Sequence, residues 1–176
     1  MKLSVTFATL LVCIVTVLAA ACSSGPGSGF ETYTNDINGF SISVPDGWEP
    51  EENTSGVFFT SPATCADWYP FGAVTASYEE DYTSAQIYYA DIIEPLIESF
   101  SGYNLVSKED LTIGGIPAIR VIYTYIGSYG ESVKETFCVL ISQQTAWLII
   151  GSSDVTCWNK YAGTFDTMAN SFQLFD

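Results

Sequence analysis

Histidine is absent from this 176-residue sequence, and basic residues are scarce, with 5 Lys and Arg against 20 Asp and Glu. Without histidine, the chain has no Ser-His-acid or Cys-His catalytic arrangement and no histidine-based zinc site. Nucleic-acid binding depends on clustered Lys and Arg, whereas the basic residues beyond position 21 are spread singly: Lys108, Arg120, Lys134 and Lys160. The sequence therefore argues against nucleic acid as a partner and against enzyme activity, and a hydrolase is only a remote alternative.

The sequence also has no apolar run long enough for a stable membrane-spanning helix. Its main apolar run, residues 10–21, is short and follows a single positive charge at Lys2, which is typical of a signal peptide over residues 1–21. Ala19-Ala20-Ala21 precedes Cys22 as in a lipoprotein cleavage site, although Ala19 stands where such sites usually have a branched apolar residue, and Leu18 lies one position further away. The same alanines also fit ordinary signal peptidase, and cleavage by that enzyme would release a secreted chain.

The segment after Cys22 favours lipidation, because residues 23–29 contain only Ser, Gly and Pro and should form a flexible tether. We therefore predict an anchor cysteine and tether over residues 22–30. Two or more acyl chains, such as palmitate, would anchor the protein stably, at ~0.8 kcal/mol per buried methylene. The expected location is the outer face of the cell membrane, with an envelope protein complex as the candidate partner.

Removal of residues 1–21 takes away Lys2 and no acid, which leaves 4 basic and 20 acidic residues and a formal charge of −16. Such a charge suits solubility outside the cell, and a surface that binds a divalent cation or small ligand is the alternative. Calcium prefers oxygen ligands, which two acidic groups could supply: Glu49/Glu51/Glu52 and Glu79/Glu80/Asp81. Adjacent acids in a strand point to opposite faces, so calcium is only weakly suggested, and we assign neither a metal site nor a cofactor.

Residues 31–176 have the length of one domain, and most of them alternate between apolar and polar side chains as strands do. The predicted strands are residues 33–36, 40–45, 57–59 and 71–78, followed by a meander of residues 105–113, 116–126, 132–142 and 145–151. Strands in two blocks, separated and followed by a helix, predict an α+β fold in which helices flank an antiparallel sheet.

The two helices are predicted from apolar residues spaced three and four apart. The first should begin after Ser84 and be kinked or shortened at Pro95; its apolar face is Tyr89, Ile93, Leu96, Ile97 and Phe100. The second should begin near Ser153 or Asp154, with an apolar face of Trp158, Tyr161, Phe165, Met168 and Phe172.

Tyr33-Thr34-Asn35, followed by the residues from Gly39 to Trp48, resembles the opening hairpin of PsbP-like proteins. Residues 111–118 and the closing helix extend the resemblance over nearly all of residues 31–176. It implies an α/β/α sandwich, which PsbP shares with a Ran-binding nuclear import factor and which serves docking more than catalysis. The calcium and chloride role of the plant members relies partly on basic and histidine residues, so it does not transfer here. The motif residues themselves are explained as core and turn residues, so they specify the fold and not the function.

Three cysteines follow Cys22 in the sequence: Cys65, Cys138 and Cys157. An exported protein meets oxidising conditions, and we predict a Cys65–Cys157 disulfide because both residues lie at the ends of elements, where the geometry can adjust. Cys138 fits a small core residue. Three unpaired thiols are the alternative.

The loop before the strand at residues 71–78 is rich in aromatic side chains. Trp68, Tyr69 and Phe71 could form a contact surface for a partner, or the loop could be a lid packed on the sheet. Asn53-Thr54-Ser55 fits an N-glycan acceptor at Asn53.

Overall fold

The computed structural model describes residues 29–54 and 56–175. The strands are β1 Phe30–Asn35, β2 Phe40–Pro45, β3 Glu49–Asn53, β4 Gly56–Thr60, β5 Phe71–Tyr78, β6 Asn104–Ile113, β7 Ile116–Ile126, β8 Ser132–Ser142, β9 Thr145–Asp154 and β10 Gln173–Leu174. The helices are α1 Ala85–Tyr88, a π-helical segment Tyr89–Ile93, α2 Glu94–Glu98, a 3-10 turn Val155–Cys157 and α3 Trp158–Ser171. Among these residues, no helix is both long and apolar enough to cross a membrane.

The strands form two antiparallel sheets. The large sheet has the order β3-β4-β5-β9-β8-β7-β6, and the small sheet has the order β1-β2-β10. The predicted meander is confirmed as β6 to β9, and its last strand pairs with β5, which joins the two strand blocks. The small sheet and α3 pack on one face of the large sheet, and α1 and α2 pack on the other. The predicted α+β fold is confirmed.

The face beneath α3 holds the larger core. Phe40, Ile42 and Val44 of β2 are buried together with the apolar stripe of α3. Two glycines in the sheet let α3 approach closely: a Cβ at Gly72 would lie 2.4 Å from Met168 Cε, and one at Gly151 would lie 2.3 Å from Phe165 Cγ. Small residues at these positions therefore set the distance between the helix and the sheet.

The first helix begins where predicted, because the Ser84 side chain accepts a hydrogen bond from the Ile87 N–H at 3.3 Å. A π turn precedes Pro95, and in it the Glu94 N–H donates to Tyr89 O. Pro95 has no backbone N–H to donate, and the shifted hydrogen-bond pattern of the π turn lets the helix continue into α2 without that donor. It also rotates the following residues: Ile97 is fully buried, whereas Leu96 is 50% exposed, so the predicted position of Leu96 on the apolar face was wrong.

Sequence reasoning did not predict two elements. In β3, every residue is exposed, so no alternating pattern marks it. β10 has two residues that pair with β2. The last helix starts as expected near Asp154, whose carboxylate accepts from the Thr156 N–H at 2.8 Å, but a 3-10 turn precedes the α-helix.

Candidate ligand-binding pocket

A disulfide ties the aromatic loop to the start of the last helix. Cys65 and Cys157 are bonded, with their Cα atoms 6.2 Å apart, which is the pairing favoured from the sequence. Cys138 is a buried free thiol, and burial raises its pKa to about 12. A thiol with so high a pKa is inert as a nucleophile at neutral pH.

The loop beside this disulfide makes a tight turn that sets the position of Trp68. Cys65 and Trp68 exchange two backbone hydrogen bonds, of 2.7 and 3.1 Å. Between them, Ala66 and Asp67 adopt left-handed backbone angles, with φ of 52° and 62°. Such angles are unfavourable for a residue with a Cβ, and the neighbouring disulfide holds the segment in place.

Trp68 lines an open cavity of about 510 Å³ on the same side of the large sheet as α1 and α2. The other walls come from the connection between α2 and β6, which contributes Phe100, and from the β7–β8 hairpin, which contributes Tyr125, Tyr129 and Glu131. The Phe100 and Tyr125 rings contact each other, with their centroids 5.0 Å apart. We call this cavity the Trp68 pocket. Four of its side chains are aromatic.

A buried carboxylate lies beneath the aromatic wall of the Trp68 pocket. Glu135 of β8 is 6% exposed and lies opposite Tyr123 of β7 and Ser152 of β9. The Tyr123 hydroxyl donates to Glu135 Oε1, and the Tyr125 hydroxyl donates to Oε2 at 3.5 Å. Within the described residues, the ion pairs involve only Lys108 and Arg120 as cations, so Glu135 has hydroxyl partners and no basic one.

The electrostatics of this group follow from burial. Burial raises the pKa of Glu135, because a charged carboxylate loses its hydration, and the hydrogen bond from Tyr123 lowers it only in part. Burial also raises the pKa of Tyr123 and Tyr125, and the nearby Glu135 charge raises both further. The two phenols therefore stay protonated and donate, and the carboxylate gains stability from any positive charge that approaches it.

The three residues of the predicted contact surface, Trp68, Tyr69 and Phe71, lie in different environments. Trp68 is half-buried in the pocket wall, and its indole N–H is buried without a hydrogen-bond partner among the described residues. Tyr69 does not line the Trp68 pocket and is 55% exposed. Phe71 is half-buried on β5, with its ring centroid 6.2 Å from that of Phe58. Of the three residues, Trp68 alone is placed to hold a ligand in this pocket.

The remaining predicted sites lie elsewhere. Asn53 is exposed at the end of β3, and its side-chain oxygen accepts from the Gly56 N–H at 3.1 Å, so glycosylation there stays a prediction. Cys22 falls outside the described residues, and its lipidation also stays a prediction. Within residues 29–54 and 56–175, no three or more carboxylate or cysteine side chains gather in a way that could hold a metal ion.

Sequence reasoning missed Glu135, Phe100, Tyr125 and Tyr129. The predicted turn at Tyr129-Gly130 would pair Glu135 with Thr124, because a two-residue turn centres the hairpin between those two residues. The observed register is one residue different and pairs Glu135 with Tyr123. Since a shift of one residue moves a side chain to the other face of the sheet, the sequence did not identify this acid as a neighbour of the tyrosines.

Comparison with protein families gives one match over most of the chain. The family model described as Serine/threonine kinase C-terminal domain matches residues 32–174. No curated protein matches this sequence.

Solved structures with the same fold are distant in sequence. Cyanobacterial PsbP from Synechocystis has 16% identity and a TM-score of 0.62, over 89% of this chain and 99% of that one. LpqN of Mycobacterium tuberculosis, described as involved in cell envelope biogenesis, has 15% identity and a TM-score of 0.59, over 84% and 91%. The Ran-binding protein Mog1p of Saccharomyces cerevisiae has 10% identity and a TM-score of 0.61, over 84% and 96%. The predicted resemblance to PsbP is thus confirmed for the fold.

Proposed function

This chain belongs to the serine/threonine kinase C-terminal domain family, and we propose that it acts as a binding domain and not as an enzyme. It recognises a small ligand in the Trp68 pocket at the outer surface of the cell. The observation that carries this proposal is the pocket itself, which four aromatic side chains line and in which the Tyr125 hydroxyl donates to the buried carboxylate of Glu135.

The chemistry of the pocket supports binding over catalysis. The sequence has no histidine, Cys65 is held in a disulfide, and no lysine lines the cavity. A hydrolase needs an activated nucleophile with a base in hydrogen-bond reach, and none of the residues that line the pocket supplies that pair. Aromatic walls with a few polar groups are typical of ligand sites.

The proposed location rests on the leader and on one relative of the same fold. The sequence over residues 1–22 fits a signal peptide followed by a lipidated cysteine, and residues 23–29 fit a tether. LpqN, which shares the fold, is described as a protein of cell envelope biogenesis. We propose that Cys22 carries acyl chains and that the ligand, or an envelope protein complex that presents it, is met outside the membrane.

The proposed binding function is tested by ligand retention. The protein extracted from membranes in detergent is incubated with the low-molecular-weight fraction of a cell envelope extract, and retained compounds are identified by mass spectrometry. We expect at least one compound to be retained by the wild type and by Tyr78→Ala, an exposed tyrosine outside the pocket, and to be lost from Trp68→Ala. The proposal would be contradicted if Trp68→Ala retained the compound as well as the wild type does, or if no compound were retained at all.

The formal charge of −16 without residues 1–21 keeps divalent-cation binding as a second candidate function. A thermal unfolding curve of the same protein with millimolar calcium chloride tests it, with sodium chloride at equal ionic strength as the control. A rise in the unfolding midpoint beyond the control would support a calcium site, because a ligand that binds the folded state stabilises it. Superimposable curves would remove this candidate.

A further inference from the structure

We infer that the ligand of the Trp68 pocket is an organic cation, with an alkylated ammonium group held between the aromatic rings. This inference rests on the proposed binding function and adds the chemical class of the ligand. Three features carry it: the charge of the pocket, its aromatic walls and the hydrogen-bond network beneath them.

The pocket has negative charge and no basic side chain to balance it. Glu131 is half-buried in the wall, Glu135 lies beneath it, and the residues that line the cavity include neither lysine nor arginine. The four basic side chains of the described residues are engaged elsewhere: Lys108 with Glu94 and the Tyr89 ring, Arg120 with Glu109 and Asp166, Lys134 with the Trp158 ring, and Lys160 with the Tyr161 ring. A positive charge in this cavity must therefore come from a ligand.

The side chain of Glu131 is held at the wall of the pocket by the hairpin turn to which it belongs. Its Oε2 accepts a hydrogen bond of 2.9 Å from the Tyr129 N–H, and its side chain folds against Gly127, where an added Cβ would lie 2.0 Å from Oε1. The carboxylate is thus packed against the hairpin turn that also carries Tyr129. One segment therefore carries both the negative charge and the Tyr129 ring, which lies at the exposed rim of the cavity.

The aromatic walls determine which cation fits. Trp68, Phe100, Tyr125 and Tyr129 come from three separate segments and line the same open cavity, with Tyr129 at its exposed rim. Ring faces attract a cation within about 6 Å of their centroids. Calcium instead needs six to eight oxygen ligands, which such walls do not offer. A cation that carries methyl or methylene groups buries apolar surface against the rings and keeps its charge near the carboxylates.

The buried network strengthens the aromatic wall. A phenol whose hydroxyl donates to a carboxylate has a more electron-rich ring, because hydrogen bonds polarise the groups that they join. Tyr125 donates to Glu135 in this way, and Tyr123 next to it does the same. Glu135 therefore acts through Tyr125 as a positioning residue, and Trp68, Tyr125 and Glu131 are the residues expected to touch the ligand.

The inference is tested with choline chloride as the probe and the uncharged isostere 3,3-dimethyl-1-butanol as its match. Both are titrated into the detergent-extracted full chain, and binding is followed by calorimetry and tryptophan fluorescence. We expect saturable binding of choline that is at least tenfold tighter than that of the alcohol. Sodium chloride at equal ionic strength serves as the blank.

Two pairs of variants connect the binding to the pocket. Glu131→Gln should weaken choline binding about fivefold and leave the alcohol unaffected, and Glu80→Gln, an exposed acid outside the pocket, should change neither. The glutamine can still accept from the Tyr129 N–H, so the turn should fold. Trp68→Ala should abolish the fluorescence change and most of the binding, while Tyr69→Ala should retain both.

The outcomes separate this inference from the proposed function. Three results would each overturn the inference that the ligand is an organic cation. They are equal binding of choline and the alcohol, absence of saturable choline binding, and equal effects of the two glutamine variants. If an uncharged compound from the envelope extract is then still retained through Trp68, the binding function stands and only the ligand class is wrong. If no ligand depends on Trp68, both fail.

Discussion

Among the described residues, Glu135 and Asp154 are the buried carboxylates that have no basic partner. Burial of Glu135, the deeper of the two, lowers the stability of the fold. Glu135 lies beside Tyr123 and Tyr125 of β7 and Ser152 of β9, the two strands that neighbour its own strand in the sheet. Ionising it there costs more than ionising it in water, since hydroxyl donors replace only part of its hydration. A buried carboxylate that is present although it lowers the stability of the fold is a candidate functional residue.

The pH dependence of stability should report on this residue. Because folding raises the pKa of Glu135, the folded state binds more protons than the unfolded state between the two pKa values, and stability falls as pH rises through that range. Glu135→Gln removes this penalty. Its free energy of unfolding relative to the wild type should therefore rise as pH increases above about 4, near the ordinary pKa of glutamate, and level off above the raised pKa of the folded state.

Urea unfolding of the wild type and the variant at several pH values measures that difference, with Glu80→Gln as the exposed control. The expected result is a gap that widens with pH for Glu135→Gln and stays constant for Glu80→Gln. Parallel profiles for the wild type and Glu135→Gln would mean that the buried carboxylate imposes no such penalty.

The helix that covers the pocket side of the sheet shows how a local irregularity sets side-chain positions. The π turn Tyr89–Ile93 precedes Pro95 and places Ile97 against the sheet and Leu96 toward solvent. A regular 3.6-residue helix drawn from the sequence places both on the apolar face. Apart from the proline, the sequence has no simple signal for the π turn or for the rotation of the residues that follow it.

Substitution of these neighbouring residues tests the π turn. Ile97→Ala removes a fully buried side chain and should lower the free energy of unfolding by about 3 kcal/mol. Leu96→Ala removes one that is half exposed and should cost less than about 1 kcal/mol. Denaturant unfolding at one pH gives both values, and equal losses would place the two residues on one face.

The disulfide should contribute much of the stability of the aromatic loop and of the domain. Its cysteines are 92 residues apart in sequence, and a bridge that closes so long a loop reduces the entropy of the unfolded chain. The Cys65→Ser/Cys157→Ser variant should lose about 4 kcal/mol on that model. Comparison of its denaturant midpoint with that of the oxidised wild type checks this, with Cys138→Ala as the cysteine control. An unchanged midpoint would show that packing alone holds the loop.

At the scale of the whole molecule, local sequence patterns predicted individual strands, whereas the pairing of strands that are distant in sequence could not be predicted. Alternation and turn residues predicted β7 and β8 with their observed bounds, since both are local signals. The pairing of β5 with β9 joins strands far apart in sequence and leaves no trace in either one. The Trp68 pocket shares this limit, because its three wall segments meet only after that sheet has formed.

The proposed anchor makes a prediction about the intact protein. The native protein extracted from membranes should begin at Cys22 and carry the mass of a diacylglyceryl group, because the leader fits lipoprotein cleavage and the following residues fit a tether. Intact-mass spectrometry measures it, and Cys22→Ser should appear in the medium or remain as uncleaved precursor. An unmodified wild-type chain released from cells would contradict the anchor.

The covalent ring closed by Cys65 and Cys157 has a mechanical consequence. Trp68, Phe100, Tyr125, Tyr129 and Glu135 all lie between the two cysteines, which are 92 residues apart. When the domain is pulled between its two ends, the load passes from Cys65 directly to Cys157, so roughly 300 Å of potential chain extension is withheld. β1 to β4 and α3 can be peeled away under tension, while the ring that holds the pocket stays outside the path of the force.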